Sequence, residues 1–200
     1  MSTDVIDHLA GIEPASRLDR LRDQRPEARR NAQLSYLALF APDSPGAVTL
    51  AERHAVAAFV TGLYQDAGVA RFYADRLAET SVPLRAAIAD EIEAAKTTGP
   101  YGSYPAEGPL AVESVEGLRY RVRDRGALGG DRLAAALEHA HLLTFRPRES
   151  SPDALRALVD AGWTTPGIVT LSQLVAFLNF QVRVIAGLRL LDATQNGLPS

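Results

Sequence analysis

Residues 169 to 191, VTLSQLVAFLNFQVRVIAGLRLL, are the most apolar stretch of the chain, and they restrict its fold more than any other segment. On length alone they suit a helix that crosses a membrane. Gln173, Asn179, Gln181, Arg183 and Arg189 interrupt the run, however, and hydrocarbon offers such groups no partners. The stretch is therefore expected to be a core helix of a soluble protein and not a membrane span. With 200 residues, 46% of them hydrophobic, the chain suffices for one substantial core, and a single domain over 1–200 is expected.

Strand signals are nearly absent while helical periodicity and cap signals recur, so the fold class read from the sequence is all-α. A short helix near 4–10 ends at Gly11, a second begins near Ser16, and a third opens on Pro26, a residue favoured in a first helical turn. Pro42 and Pro45 mark the exit of the third. Thr49 and Glu52 then spell the T-x-x-E capping box and start the helix of TLAERHAVAAFVTGLYQDAGVARFY, residues 49 to 73, with Gly68 expected to separate it from the next. VPLRAAIADEIEAAK gives another amphipathic helix, with Leu84, Ile88 and Ile92 four apart. Residues 98–130 concentrate Gly and Pro and read as one long loop, in which LRYRVR, 118–123, is the sole candidate for a short edge strand. A helix returns at 131–145, Ser151-Pro152-Asp153 caps another that Gly162 closes, and the last runs from about Thr165 to Asp192. A shift of 121 positions lays TLAERHAVAAF on TLSQLVAFLNF and pairs Glu52 with Gln173, which suggests two similar central helices.

A net charge of -3, from scattered acids and bases, offers no basic face for nucleic acid. MSTDVIDHLAG has acids where a secretory leader needs bases, so a cytoplasmic location is expected. The absence of cysteine excludes disulfides, thiolate metal sites and every cysteine nucleophile. The four histidines share no metal-binding spacing, so neither a metal nor a cofactor is expected.

SPDALRALVDAGWTTPGIVTLSQLVAFLNFQVRVIAGL, residues 151 to 188, resembles the C-terminal signature of the carboxymuconolactone decarboxylase and alkylhydroperoxidase-D superfamily. The signature positions are Ala161, Gly162, Ile168, Val169, Gln173, Val175, Ala176, Phe177, Asn179, Phe180 and Arg183. The resemblance covers roughly 30–95 and 131–192, leaving an N-terminal extension of 25 residues and the 98–130 loop outside it. It implies an all-helical fold of that type and a homo-oligomer. In redox members a glutamate is followed by C-x-x-C and a histidine. Glu52 matches the glutamate, but YQDAGV, 64–69, stands where the cysteines belong, and no histidine falls near Arg71 to Tyr73. Thiol peroxidase chemistry is thereby excluded.

Glu52 and His54 are the candidate catalytic residues. Glu52 has two readings, a helix cap or the pocket acid that the resemblance implies. His54 lies about 200° around the helix from it, so the two cannot converge on one site. His139 and His141 have the same geometry, and Glu138 with His141 is expected to be a surface pair. Buried Asn179 and Arg183 need partners, Glu52 among the possible ones for Arg183. Tyr101 and Tyr104 sit in a loop that either closes over a pocket or packs on a partner subunit, and Trp163 is expected to anchor the turn after Gly162. Whether the chain is an enzyme stays open. One reading is a cysteine-independent decarboxylase or lyase acting on a small organic acid or lactone; the other is a redox-dead binding or accessory protein in an oxidative-stress or catabolic setting.

Overall fold

The computed structural model describes residues 4–64 and 66–196. Among them are nine α-helices and no strand: α1 Val5–Ala10, α2 Arg17–Asp23, α3 Pro26–Phe40, α4 Leu50–Gly62, α5 Ala67–Thr80, α6 Val82–Ala95, α7 Asp131–Phe145, α8 Pro152–Asp160 and α9 Thr165–Asn196. Their starts fall where side chains satisfy amides that a helix leaves open. Ser16, Thr49, Asp66, Ser81 and Ser151 each accept from a backbone N–H in the first turn that follows. Pro26 and Pro152 occupy first turns, where their missing N–H costs nothing.

The helix of 49 to 73 is two helices, and the break lies between Gly62 and Ala67, not at Gly68. Asp66 makes the new start by accepting from the Gly68 and Val69 amides, which places Gly68 inside the first turn of α5. The centre of the molecule is α4, where Ala55, Val56, Ala57, Phe59 and Val60 have no exposed surface. It packs on α5, α6, α7 and α9, and each large side chain fully buried there contributes about 1.5–3 kcal/mol. The inner face of α9, with Leu171, Leu174, Val175, Leu178, Val182 and Ile185, closes the core. This helix is long and apolar enough to cross a membrane, yet that face packs on α1, α3, α4, α7 and α8. The proposed echo between the halves is not a structural repeat. Thr49 caps α4 whereas Thr170 lies inside α9, and Phe59 is fully buried whereas its counterpart Phe180 is exposed.

Charge does the joining where the core is thin. Arg22 pairs with Asp4 and Asp7, and Arg29 with Asp7, Asp19 and Asp23, which ties α1 and α2 to α3. Arg53, buried on α4 and without an acid, donates to the carbonyls of Leu39 at 2.8 Å, Pro45 at 2.8 Å and Val48 at 3.0 Å. It thereby satisfies the open C-terminal end of α3 and the turn beyond it, where the helix dipole favours a cation.

Candidate functional site

Glu52 is a cap and not a pocket acid. Its carboxylate accepts from the Thr49 amide at 2.8 Å and the Thr49 hydroxyl at 3.0 Å, while the Glu52 amide donates to Thr49 Oγ1. The outer oxygen is taken by Arg132 Nε at 2.6 Å. Arg132 also donates to the carbonyls of Gly162 and Ala47 and lies 4.1 Å from the Trp163 ring, whose indole N–H donates to the Arg132 carbonyl. One guanidinium thus locks the starts of α4 and α7 to the turn before α9. Gly162 makes that turn with φ of 88°, a conformation glycine adopts without strain. Burial pushes the Glu52 carboxyl up, but the bonds from Arg132 and Thr49 outweigh it and hold the group below its ordinary range.

His54 faces away from Glu52, as the helical angle requires. Its ring stacks on Phe40 at 5.6 Å with planes 6° apart, and its Nδ1 is buried with no partner. Burial, and after it Arg76, lower its pKa. Neither residue lines the main cavities among the described residues, and the two lie on opposite sides of α4, so they do not converge on one site.

The segment YQDAGV, 64–69, has a structural job of its own. Tyr64 donates its hydroxyl to Asn179, Asp66 caps α5 and pairs with Arg189, and Val69 is buried; Gln65 lies outside the described residues. Asn179 is buried as expected and its amide reaches Thr144 and the Val175 carbonyl. Arg183 is not buried. It is exposed, its guanidinium 5.9 Å from the Tyr64 ring, and it does not meet Glu52.

The long loop is pinned to the C-terminal end of α7. The Tyr101 amide donates to the Phe145 carbonyl at 2.6 Å, Arg148 lies 5.0 Å from the Tyr104 ring, and Gly117 passes so close to Tyr101 that a Cβ there would fall 2.2 Å from the ring. Neither tyrosine lines the main cavities among the described residues. LRYRVR is not a strand, because among the described residues no neighbouring strand pairs with it; Glu91 of α6 holds its later part instead. This carboxylate, buried on the apolar face of α6, accepts from Tyr120 Oη at 2.6 Å and from the amides of Arg123 and Asp124 at 3.0 and 3.1 Å. Burial, then the bond to Glu91, push the Tyr120 hydroxyl far up. The sequence carried one signal for this acid: Ile88, Glu91 and Ala95 share one helical face.

With Tyr120 and Val122 turned inward, Arg119 and Arg121 project outward and roof a cavity of about 320 Å³. Its other walls are α7, through Ala135, Glu138, His139 and Leu142, and α8, through Ala154, Ala157 and Leu158. The void exists because both helices present alanines to each other. Glu138 and His141 are not a surface pair. Glu138 is nearly buried, and accepts from Arg121 at 2.6 Å, Arg125 at 2.8 Å and the Val122 amide at 3.1 Å. Glu149 likewise takes Arg146 and Arg119, and the bond from Arg146 holds its carboxyl below the usual range.

Both histidines of α7 are buried and reach this cavity from different sides of the helix. His141 is fixed by its bond to the Ala95 carbonyl at 3.1 Å and by the rings of Tyr120 and Phe145. His139 is less constrained: Nε2 meets Ser172 Oγ at 3.2 Å, and Nδ1 is buried with no partner. Desolvation lowers the pKa of both, so both rings are neutral at neutral pH. Among the described residues no cluster of three or more His, Asp or Glu side chains is arranged to hold a metal ion.

Comparison of the chain with protein-family models, with curated proteins and with solved structures finds no match.

Proposed function

We propose that the protein binds a small organic acid or lactone in the cavity between α7 and α8 and moves a proton on it with His139. The observation that carries this reading is an imidazole in a cavity wall with one ring nitrogen occupied and the other without a partner. In the tautomer that protonates Nε2 and donates to Ser172, Nδ1 carries the free lone pair of a general base, and burial, which lowers the ring's pKa, favours the neutral form. Arg119 and Arg121 alternate along an extended segment, so both side chains leave it on the same side. Each pairs with an acid that already holds a second arginine, Arg146 on Glu149 and Arg125 on Glu138. A carboxylate entering the cavity recruits both without stranding either acid. The reaction type stays with the cysteine-independent side of the carboxymuconolactone decarboxylase-like superfamily, and the base moves from Glu52 to His139.

The test is turnover of a panel of small γ-lactone carboxylates by the purified protein and two variants. The wild type and Glu52→Gln are expected to be equally active, and His139→Gln inactive with its fold intact. Full activity in His139→Gln removes the proposal. A second reading, binding without turnover, is favoured by one feature: no carboxylate orients the His139 ring, and Glu138 and Glu149 are both consumed in ion pairs. It gains ground if carboxylates bind and no variant, wild type included, turns them over.

A further inference from the structure

The two imidazoles of α7 differ in what their neighbours decide about them. His141 Nε2 bonds to the Ala95 carbonyl, an oxygen that can only accept, so this nitrogen carries the ring proton. Burial, which lowers the pKa of the ring, favours the neutral form, and a neutral ring protonated at Nε2 has its lone pair on Nδ1. The bond to Ala95 is the ring's sole hydrogen bond among the described residues, although His141 is only 2% exposed and forms part of the cavity wall. His139 reaches the cavity from another side of α7, and its Nδ1 is buried with no partner. The cavity therefore offers its contents acceptors at the two rings and cations at the roof of Arg119 and Arg121. A plain carboxylate answers only the roof, because its own oxygens also accept. The rest of the lining is largely apolar, through Ala135, Leu142, Ala154, Ala157 and Leu158.

Resting on the reading that this cavity receives a carboxylate, we infer that its ligand is a short aliphatic hydroxycarboxylate, with the carboxylate on Arg119 and Arg121 and the hydroxyl donating to His141 Nδ1. His141 then selects the ligand, while proton transfer stays with His139. The volume of about 320 Å³ is at the lower end for ligand sites and suits a chain of about three to five carbons. An ammonium donates as well as a hydroxyl does, but once enclosed it needs an acid. Glu138 and Glu149 each already hold two arginines. Asp153, in the exposed first turn of α8, is the remaining acid on the cavity wall. A hydroxyl brings no charge and leaves these pairs intact, so it costs less to enclose. An analogue with a methyl in the hydroxyl's place takes the water from Nδ1 and returns no donor, a loss of roughly tenfold or more in affinity.

Calorimetry on the purified protein compares three pairs in which a methyl replaces the hydroxyl: β-hydroxypropanoate with butanoate, γ-hydroxybutanoate with pentanoate, and δ-hydroxypentanoate with hexanoate. At least one hydroxy acid should bind roughly tenfold or more tighter than its methyl partner, and His141→Phe should bring the two to equal affinity. Phenylalanine keeps an aromatic ring against Tyr120 and Phe145 but loses the bond to the Ala95 carbonyl. If that variant does not fold, nitrogen NMR of the wild-type ring decides the matter: the hydroxy acid should shift His141 Nδ1, and the methyl partner should leave it in place. If neither series binds, or if Arg119→Ala with Arg121→Ala leaves binding unchanged, the carboxylate site itself falls and the hydroxyl assignment with it. Equal, arginine-dependent affinity within every pair overturns the hydroxyl assignment alone. So does tighter binding of γ-aminobutanoate than of γ-hydroxybutanoate, or a His141 ring that carries its proton on Nδ1 in the free protein.

Discussion

Replacing Glu52 separates the structural and the catalytic reading of the residue in one experiment. Its carboxylate closes the capping box on Thr49 and takes the Nε of Arg132. Losing the cap costs about 1 kcal/mol. The charge-assisted bond is worth about 1.5–3 kcal/mol when enclosed, but Arg132 is one-third exposed, so about 1–2 kcal/mol is the appropriate figure. Glu52→Ala should therefore lose about 2–3 kcal/mol, or roughly 5–10 °C in Tm for a chain of this size. Glu52→Gln keeps part of the cap and should lose about half of that. The pH dependence follows from the direction of the shift. The folded carboxyl is held below its ordinary value, so its contribution is complete above the unfolded pKa of about 4.3 and disappears as pH falls through the folded pKa. Urea unfolding of wild type and Glu52→Gln should differ by a constant amount from neutral pH to about pH 5 and converge below about pH 4. A gap that persists into strong acid, or a Glu52→Ala variant as stable as wild type, refutes the clamp. Loss of turnover in Glu52→Gln at unchanged stability returns Glu52 to the site.

Three further outcomes follow from the same structure. His54, half-buried, and His139 and His141, buried, all have lowered pKa values, so each adds stability that is complete above the unfolded value of about 6.5 and is lost as pH falls. Stability should drop below about pH 6 by up to roughly 4 kcal/mol per pH unit, and His54→Phe should reduce that slope by about one proton. Glu91→Ala leaves Tyr120 and two backbone amides without their acceptor, and should cost about 3 kcal/mol in thermal unfolding while opening the 117–125 segment to limited proteolysis. Ala154→Leu fills the cavity with three added carbons, and should hold or raise Tm, by up to about 2 kcal/mol of stability, while abolishing carboxylate binding measured by calorimetry.

Most helix boundaries were legible because they are written in local chemistry: Ser16, Thr49 and Ser151 at caps, Pro26 and Pro152 in first turns, Gly11 and Gly162 past the ends. The break between α4 and α5 was less visible, since a single capping aspartate does the work within an apolar run. The cavity was illegible for a different reason. It is made by what is missing, alanines on α7 and α8 facing each other across a sequence gap, and by an arginine pair that Glu91 positions from a distant helix. His141 read as half of a surface pair because Glu138 stood three residues before it. α7 packs on α4, α8 and α9, and Glu138 is taken by Arg121, Arg125 and the Val122 amide, from a segment the local pattern assigned to a loop. Likewise Arg53 stood between the two residues that attracted attention, yet it is the buried one of the three.

The sharpest test of the proposed site is an NMR titration of the His139 ring nitrogens, run with and without a saturating γ-lactone carboxylate. The expected result in the free protein is a neutral ring at neutral pH, its proton on Nε2. Ligand should shift both nitrogens, and Arg119→Ala with Arg121→Ala should weaken that response. A ring that is charged at neutral pH, or one that stays unmoved while the carboxylate binds elsewhere on the protein, contradicts the assignment of His139 as the base.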